Sequence, residues 1–464
     1  MLQFLTNQKK FGPVKRILIV SFDAVGTADL EYLQTLPNFK RFMAHAAYSN
    51  RVETVYPSLT YPAHTSIVTG LTPAHHGVVN NLLLQPQYRD PDWMWERKYV
   101  KGPTLYDAVK EQRGFRVSSI FWPVTAKAAS IKYNVPEILA IRPWHNQILR
   151  SLDAGSTLYE VALMKHFGKI LDGSNQPNLD NFAMLAALDT QFRFMPEMML
   201  LHLTDVDTLR HKYGVHAPEV KEALKRHDKR LGELLACLSR VEESENKGRR
   251  NVYEDGFPAF ENTAMVILGD HYQKDIHTMS YPNHFLWRKG YIKIAHDRVK
   301  DYSAYAQTAD GACYIYVNRE KGLSGAFLDQ LEKDLHKMAR IKEYGIAKIF
   351  DARQAASKGA DPNCAFMLEG RDGYAFGSDY LSASLPAAED EHKKKAVHGY
   401  LPGDDSYTTF FAMTGAGVEE GAMVPRMKLI DEGPTIAKFL GINIGMTDGK
   451  VIEDFLRPEV LKRK

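Results

Sequence analysis

The sequence predicts an α/β fold, a central mostly parallel sheet sandwiched by helices with an inserted α+β cap. Three observations predict it. Three apolar runs, Arg16–Asp23, Met198–Asp207 and Thr263–Asp270, each end in a carboxylate. Continuous apolar runs of this length suit strands buried on both faces, as in a parallel sheet under helices. Helical patterns fall between them, for example around Ala217–Glu242. The segment from about Tyr272 to Glu391 has another texture, short strand-like and helix-like pieces with turns near Gly359–Pro362 and Gly370–Gly373. A core-like pattern then resumes. The chain therefore reads as a core of residues 1–271 and 392–464 interrupted by a cap of residues 272–391.

The first strand is the short run Ile17–Phe22, preceded by Lys9, Lys10, Lys15 and Arg16. That run is too short for a signal peptide, so no export signal is expected. No window approaches 18 consecutive apolar residues, so no transmembrane helix is expected. Further strands are expected at Arg116–Phe121 and Ala312–Val317. Glu242–Gly256 reads as a surface loop and Glu389–Lys395 as the exposed return from the cap.

Composition excludes several classes. The 464 residues are 44% hydrophobic and 25% charged, ordinary globular usage. The 59 basic and 56 acidic residues balance to +3, which announces neither a nucleic acid polymer nor an anionic membrane. Cys237, Cys313 and Cys364 lie far apart with no CxxC pair. A reduced, cytoplasmic setting is the simplest reading, and thiolate-bound zinc is not expected.

Four constellations could carry chemistry. In Asp207-Thr-Leu-Arg-His211 a helix would put carboxylate and imidazole on one face, where they can share a cation; Asp207 could equally be a helix cap. Asp270-His271 can converge on one ion if the backbone bends at Gly269, or can simply end a strand. In Pro57-Ser-Leu-Thr60-Tyr61-Pro62 a helix begins, and its N-terminus attracts phosphate-like anions. Thr60 there is a capping residue or, with a lowered pKa, a nucleophile. His398 stands alone in His-Gly-Tyr-Leu-Pro. Taken together, Asp23, Asp207, His211, Asp270, His271 and His398 supply three carboxylates and three imidazoles. Such mixed ligation favours zinc, with manganese or iron as substitutes, over calcium or magnesium. Six ligands and the Thr60 oxygen suit two neighbouring open sites.

These motifs resemble the alkaline phosphatase superfamily, and within it the type I phosphodiesterase/nucleotide pyrophosphatase branch. The resemblance is carried by Ser-Phe-Asp23, the block from Thr60 through Gly70 to Gly77 with Asn80-Asn81, then Asp207-x-x-x-His211-Lys-Tyr-Gly, Gly-Asp270-His271 and His398-Gly-Tyr. It implies an alkaline-phosphatase-like core and two zinc ions. Asp207, His211 and His398 would hold one ion; Asp23, Asp270, His271 and Thr60 the other. Thr60 would attack phosphorus and form a phospho-threonine intermediate. Asn81, with Asn80 as the fallback, would donate to a phosphoryl oxygen. Tyr61 would pack on the leaving group. Trp122, in Phe-Trp-Pro, would stack a base or else belong to the core. The implied partner is a small phosphoester or nucleotide-like molecule; oligomeric state is not addressed.

The chain departs from the family's pattern at three places. Arg210 stands where glycine usually precedes the histidine, Ala63 where asparagine is usual, and Tyr272 where glycine usually follows Asp-His. The two glycine replacements are expected to narrow or reshape the mouth. Asp-x-x-x-His-Lys-Tyr and Val124-Thr-Ala-Lys127 also resemble phosphonoacetate hydrolases, in which Lys127 would hold a carboxylate; otherwise it is a solvated loop residue. Phosphomonoesters and sulfate esters are further candidates, although no cysteine occupies the Thr60 place. A silent binding protein would be expected to lack ligands or nucleophile, and here every position is filled.

Overall fold

The computed structural model describes residues 14–139, 142 and 145–462. The expectation about an export signal falls largely on residues 1–13, outside the described residues.

Six strands build most of the main sheet: β1 (Arg16–Phe22), β2 (Ala47–Glu53), β3 (Val117–Ile120), β4 (Ile131–Val135), β5 (Met198–Leu203) and β6 (Thr263–Leu268). Two later strands, Thr409–Gly415 and Met427–Lys428, complete it. The order is Met427–Lys428, β2, Thr409–Gly415, β6, β1, β5, β3, β4. Only Thr409–Gly415 runs against its neighbours; the remaining pairs are parallel.

The three apolar runs are the three central strands, and every residue of β1, β5 and β6 is buried. Their alternation feeds two cores. Ile17 and Ile19 face one with Ile67, Val109 and Ile436; Leu18, Val20 and Phe22 face the other with Phe182 and Leu231. Helices thus cover both faces, which is why these strands read as unbroken apolar runs instead of alternating ones.

Between β6 and Thr409–Gly415 lie smaller sheets. Ala304–Ala309, Ala312–Val317, Phe366–Gly370 and Ile346–Asp351 form one, with its own apolar cluster under the helix Gly325–Ala339. Lys274–Ser280 anchors another and pairs with Ala396–Val397. One expectation is corrected. The helix that begins at Pro218 continues to Glu245, because Val241 and Glu242 still pack inward, so the loop starts later than Glu242.

Candidate functional site

The register of the central strands pairs Ser21 with both His202 and Leu268. Their carboxyl ends therefore align, and the chain leaves β1 at Asp23, β5 into the helix Asp205–Tyr213, and β6 at Gly269-Asp270-His271 from one rim. Ligands of open parallel sheets gather at such a rim. Gly269 fits through close approach, since a Cβ there would lie 2.1 Å from the Val25 carbonyl oxygen. The helix Thr60–Thr69 points its N-terminus to the same place, with Thr60 as its first residue.

One half of the site gathers around Asp207. Its Oδ1 lies 3.4 Å from His211 Nε2 and 3.9 Å from His398 Nε2. His211 Nδ1 donates to the Ala396 carbonyl at 2.7 Å and His398 Nδ1 to that of Ser58 at 3.2 Å. Those carbonyls fix both tautomers and leave each Nε2 lone pair facing Asp207. Gln273 Nε2 also donates to Asp207 Oδ1.

The other half gathers around His271 Nε2. It lies 3.1 Å from Thr60 Oγ1, 3.2 Å from Asp270 Oδ2 and 3.4 Å from Asp23 Oδ1. The His271 and His398 rings stack at 4.0 Å and join the halves. Two residue groups could hold a metal ion, Asp207 with His211 and His398, and Asp23 with Asp207 and His271; within each, the donor atoms lie within 4.8 Å of one another. Asp207 thus stands between the two halves, whereas the resemblance assigns it to one.

The electrostatics favour a cation. Burial, then the Asp207 charge, pushes the Asp23 carboxyl well up; burial, then Asp23, does the same to Asp270. Burial, then His398, pulls His271 well below the usual imidazole range. Burial takes His398 down to about 4. The His271 and His398 imidazoles are therefore neutral at pH 7 and able to ligate. Asp23 Oδ1 and Asp270 Oδ2 are buried without a hydrogen-bond partner. Unpartnered buried carboxylate oxygens are costly, and a cation between them removes the cost. Carboxylates, imidazoles and one hydroxyl are a donor set that fits zinc, manganese or iron.

Asn81 Oδ1 accepts from the Tyr61 backbone N–H at 2.9 Å, beside the helix start that carries Thr60. Asn80 is engaged elsewhere: its NH2 donates to Thr308 and its oxygen accepts from Leu82. Three expected substrate contacts are placed differently. Trp122 is 0% exposed with its ring edge-on to His64, so it is a core residue with no face open to a base. Tyr61 is 1% exposed and packs against Trp93 in an apolar cluster, with no face open to a leaving group. Lys127 extends at the surface and pairs with Asp153 at 2.9 Å. Arg210 and Tyr272 are both buried, so they do not narrow a mouth.

The structure adds residues that spacing did not reveal. His202, the lone polar side chain inside β5, lies 2.9 Å from Asp23. Glu137 lies 3.7 Å from the far side of that imidazole, and burial pushes its carboxyl up to about 7. Asp310 Oδ2 lies 3.9 Å from His398 Nε2, and Lys394 sits 3.2 Å from that carboxylate. Asp310 carries no motif that sequence spacing marks. Only pairing of the surrounding strands brings it to the rim.

The model of one family, type I phosphodiesterase/nucleotide pyrophosphatase, matches residues 17–401, from the first strand to just past His398. The chain belongs to that family. Its relatives include human ectonucleotide pyrophosphatase/phosphodiesterase family member 1, 26% identical over 226 residues, which is 46% of this chain and 20% of that protein. Venom phosphodiesterase 2 of Crotalus adamanteus is 22% identical over 272 residues, 56% of this chain and 27% of that protein. These matches span about a fifth to a quarter of the curated relatives' length. Murine ectonucleotide pyrophosphatase/phosphodiesterase 5 superposes with a TM-score of 0.60 at 16% identity, covering 95% of this chain and 100% of that one. An inactive form of the same murine protein has been solved in complex with AMP. The fold is thus the alkaline-phosphatase-like one of this family. Among the described residues, no helix is long and apolar enough to cross a membrane.

Proposed function

We propose that the chain is a two-zinc phosphoric ester hydrolase that acts on small or nucleotide-like phosphodiesters. The observation that carries the reading is the pair of unpartnered buried carboxylate oxygens, Asp23 Oδ1 and Asp270 Oδ2, next to His271 and Thr60. Asp207, His211 and His398 would hold one ion; Asp23, Asp270, His271 and Thr60 would hold the other. When bound, the ions supply positive charge that favours an ionised nucleophile and neutralises phosphoryl oxygens.

The chain's own residues do the rest. Thr60 Oγ attacks phosphorus; the P–O bond to the leaving alcohol breaks, leaving a phospho-Thr60 ester. Water then cleaves that ester, restoring the hydroxyl and releasing a phosphomonoester. His64 Nδ1, 2.8 Å from the Thr60 carbonyl, and the Thr60 position at the helix start hold the nucleophile in place. The Asn81 NH2 donates to the oxygen on which charge develops. The segment 272–391 acts as a cap over this rim.

A second reading rests on Lys394. Its ammonium, paired with Asp310 beside the His398 rim, is a cation near the ligand cluster that could take a substrate carboxylate if that pair opened. That would suit a phosphonate hydrolase, and it moves the role from Lys127 to Lys394. One panel on zinc-loaded protein separates the readings: nitrophenyl phosphate, bis-nitrophenyl phosphate, nitrophenyl-thymidine phosphate and phosphonoacetate. Diesters are expected to turn over fastest. Phosphonoacetate turnover alone would favour the second reading, and no turnover of any of the four would leave a binding protein.

A further inference from the structure

Arg210 and Tyr272, each next in sequence to a residue of the histidine pair His211 and His271, meet in space: the Arg210 guanidinium lies 4.4 Å from the centre of the Tyr272 ring. They are 0% and 5% exposed. The guanidinium is fully engaged. It donates to the Ala24 carbonyl, to Asp29 Oδ1 at 2.6 Å and to the Val215 carbonyl at 3.3 Å. The second Asp29 oxygen accepts from the Gly26 N–H at 2.9 Å. A buried arginine needs this kind of matched set, and its planar fork can serve several partners at once.

The partners are not scattered. Ala24 directly follows Asp23, and its φ of +61° is a backbone conformation that non-glycine residues seldom adopt. The Ala24 N–H donates to Asp270 Oδ1 at 3.0 Å. Arg210 directly precedes His211, and Tyr272 directly follows His271. The Tyr272 ring also closes on Gly26, where a Cβ would lie 2.4 Å from ring carbon Cδ2. A single guanidinium therefore ties together three segments, each of which carries a residue of the metal cluster.

We propose that Arg210, clamped by Asp29 and Tyr272, is a positioning residue that fixes the spacing of the two metal half-sites. The proposal rests on the two-ion reading. With glycine at both places, the helix bearing Asp207 and His211 would be joined to the Asp23 and Asp270-His271 segments without this tie. The arginine and tyrosine supply it from inside the core, where both are buried. Partners that orient ligands in this way typically govern metal affinity by about 10–100-fold.

The test measures zinc content of the purified holoprotein and the rate at which a chelator removes it, with the thermal transition of the metal-free form alongside. The variants are Arg210→Lys, Arg210→Met, Tyr272→Phe, Tyr272→Gly and the double variant Arg210→Gly/Tyr272→Gly. Wild type is expected to hold about two zinc ions. Arg210→Met and Tyr272→Gly should each release zinc about tenfold faster or more, beyond what the fall in their metal-free transition alone accounts for. Tyr272→Phe keeps the ring under the guanidinium but loses the hydroxyl that accepts from Arg210 at 3.5 Å, and should fall between wild type and Tyr272→Gly. The double variant should lose no more than the worse single, because one tie is being cut twice. If Arg210→Met does not fold, Arg210→Lys and Tyr272→Gly decide alone: Arg210→Lys keeps the charge without the fork and should still release faster. Wild-type release rates in both, from a parent that holds two ions, overturn the proposal alone. A parent that binds no zinc overturns the two-ion reading and the proposal together.

Discussion

His202 Nε2 lies 2.9 Å from Asp23 Oδ2, and this contact decides which oxygen of Asp23 faces the cluster. With Oδ2 engaged, Oδ1 is the oxygen left without a partner, 3.4 Å from His271 Nε2. His202 Nδ1 is anchored in turn to the Phe121 carbonyl at 3.1 Å. A backbone carbonyl at the end of β3 thus orients, through one imidazole, a carboxylate at the end of β1. Replacing His202 by Leu should free Asp23 to rotate and weaken zinc binding in that half by about 10–100-fold. Equilibrium zinc titration of the variant checks this, and unchanged affinity would remove His202 from the site.

Thr60 and His211 should separate by metal content. Thr60→Ala is expected to abolish turnover with zinc content near normal, because Asp23, Asp270 and His271 remain as donors in that half. His211→Ala or Asp207→Ala should lose zinc at one half selectively. Metal analysis beside a diester assay reads both. Retained activity in Thr60→Ala would exclude it as the nucleophile, and unchanged stoichiometry in His211→Ala would exclude that half-site.

The two adjacent asparagines make opposite predictions. Asn81→Ala should cost about 2–4 kcal/mol of transition-state stabilisation, seen as a fall in kcat, because its Oδ1 is held by the Tyr61 N–H, next in chain to Thr60, and its NH2 is the proposed donor to phosphoryl oxygen. Asn80→Ala should instead lower stability by about 1–3 kcal/mol and spare kcat, since its amide holds Thr308 and Leu82. Kinetics and denaturant melts on both variants distinguish them; a reversed pattern would shift the donor by one residue.

Acid should unfold the protein in part through His76. Burial lowers its pKa from 6.5 to about 3. The reason is visible in its bonds, as Nδ1 accepts from the Val78 N–H at 3.1 Å and Nε2 lies 2.9 Å from Ser66 Oγ. Below pH 6.5 the unfolded chain takes up a proton that the folded chain refuses. Stability from this group is therefore complete above 6.5 and declines as pH falls from 6.5 toward 3. A melting temperature followed against pH should show the decline, and a His76→Gln variant should show a shallower slope across the same window.

The fold was legible where a run of residues carries one message. β1, β5 and β6 announce themselves because both of their faces are buried, and the carboxylates that follow them mark the rim. Asp207 and His211 were legible because one helical turn relates them. Trp122 was not, because an aromatic residue at a strand end reads the same whether it lines an opening or, as here, fills the core.

By itself, then, the sequence determined the sheet class, the order of the carboxylates and imidazoles that meet at the rim, and the helix that begins at Thr60, since these depend on local periodicity and on which residue follows which. Tertiary structure decided the rest. Only strand register brings Asp23, His202 and Asp270 together across the rim, and only the return of the chain at residue 398 sets His398 against His271. The same holds for Arg210 and Tyr272, 62 residues apart, whose joint burial no local pattern encodes. A side chain's partners are set by packing between segments distant in sequence, and that information lies in the whole chain, not in any window of it.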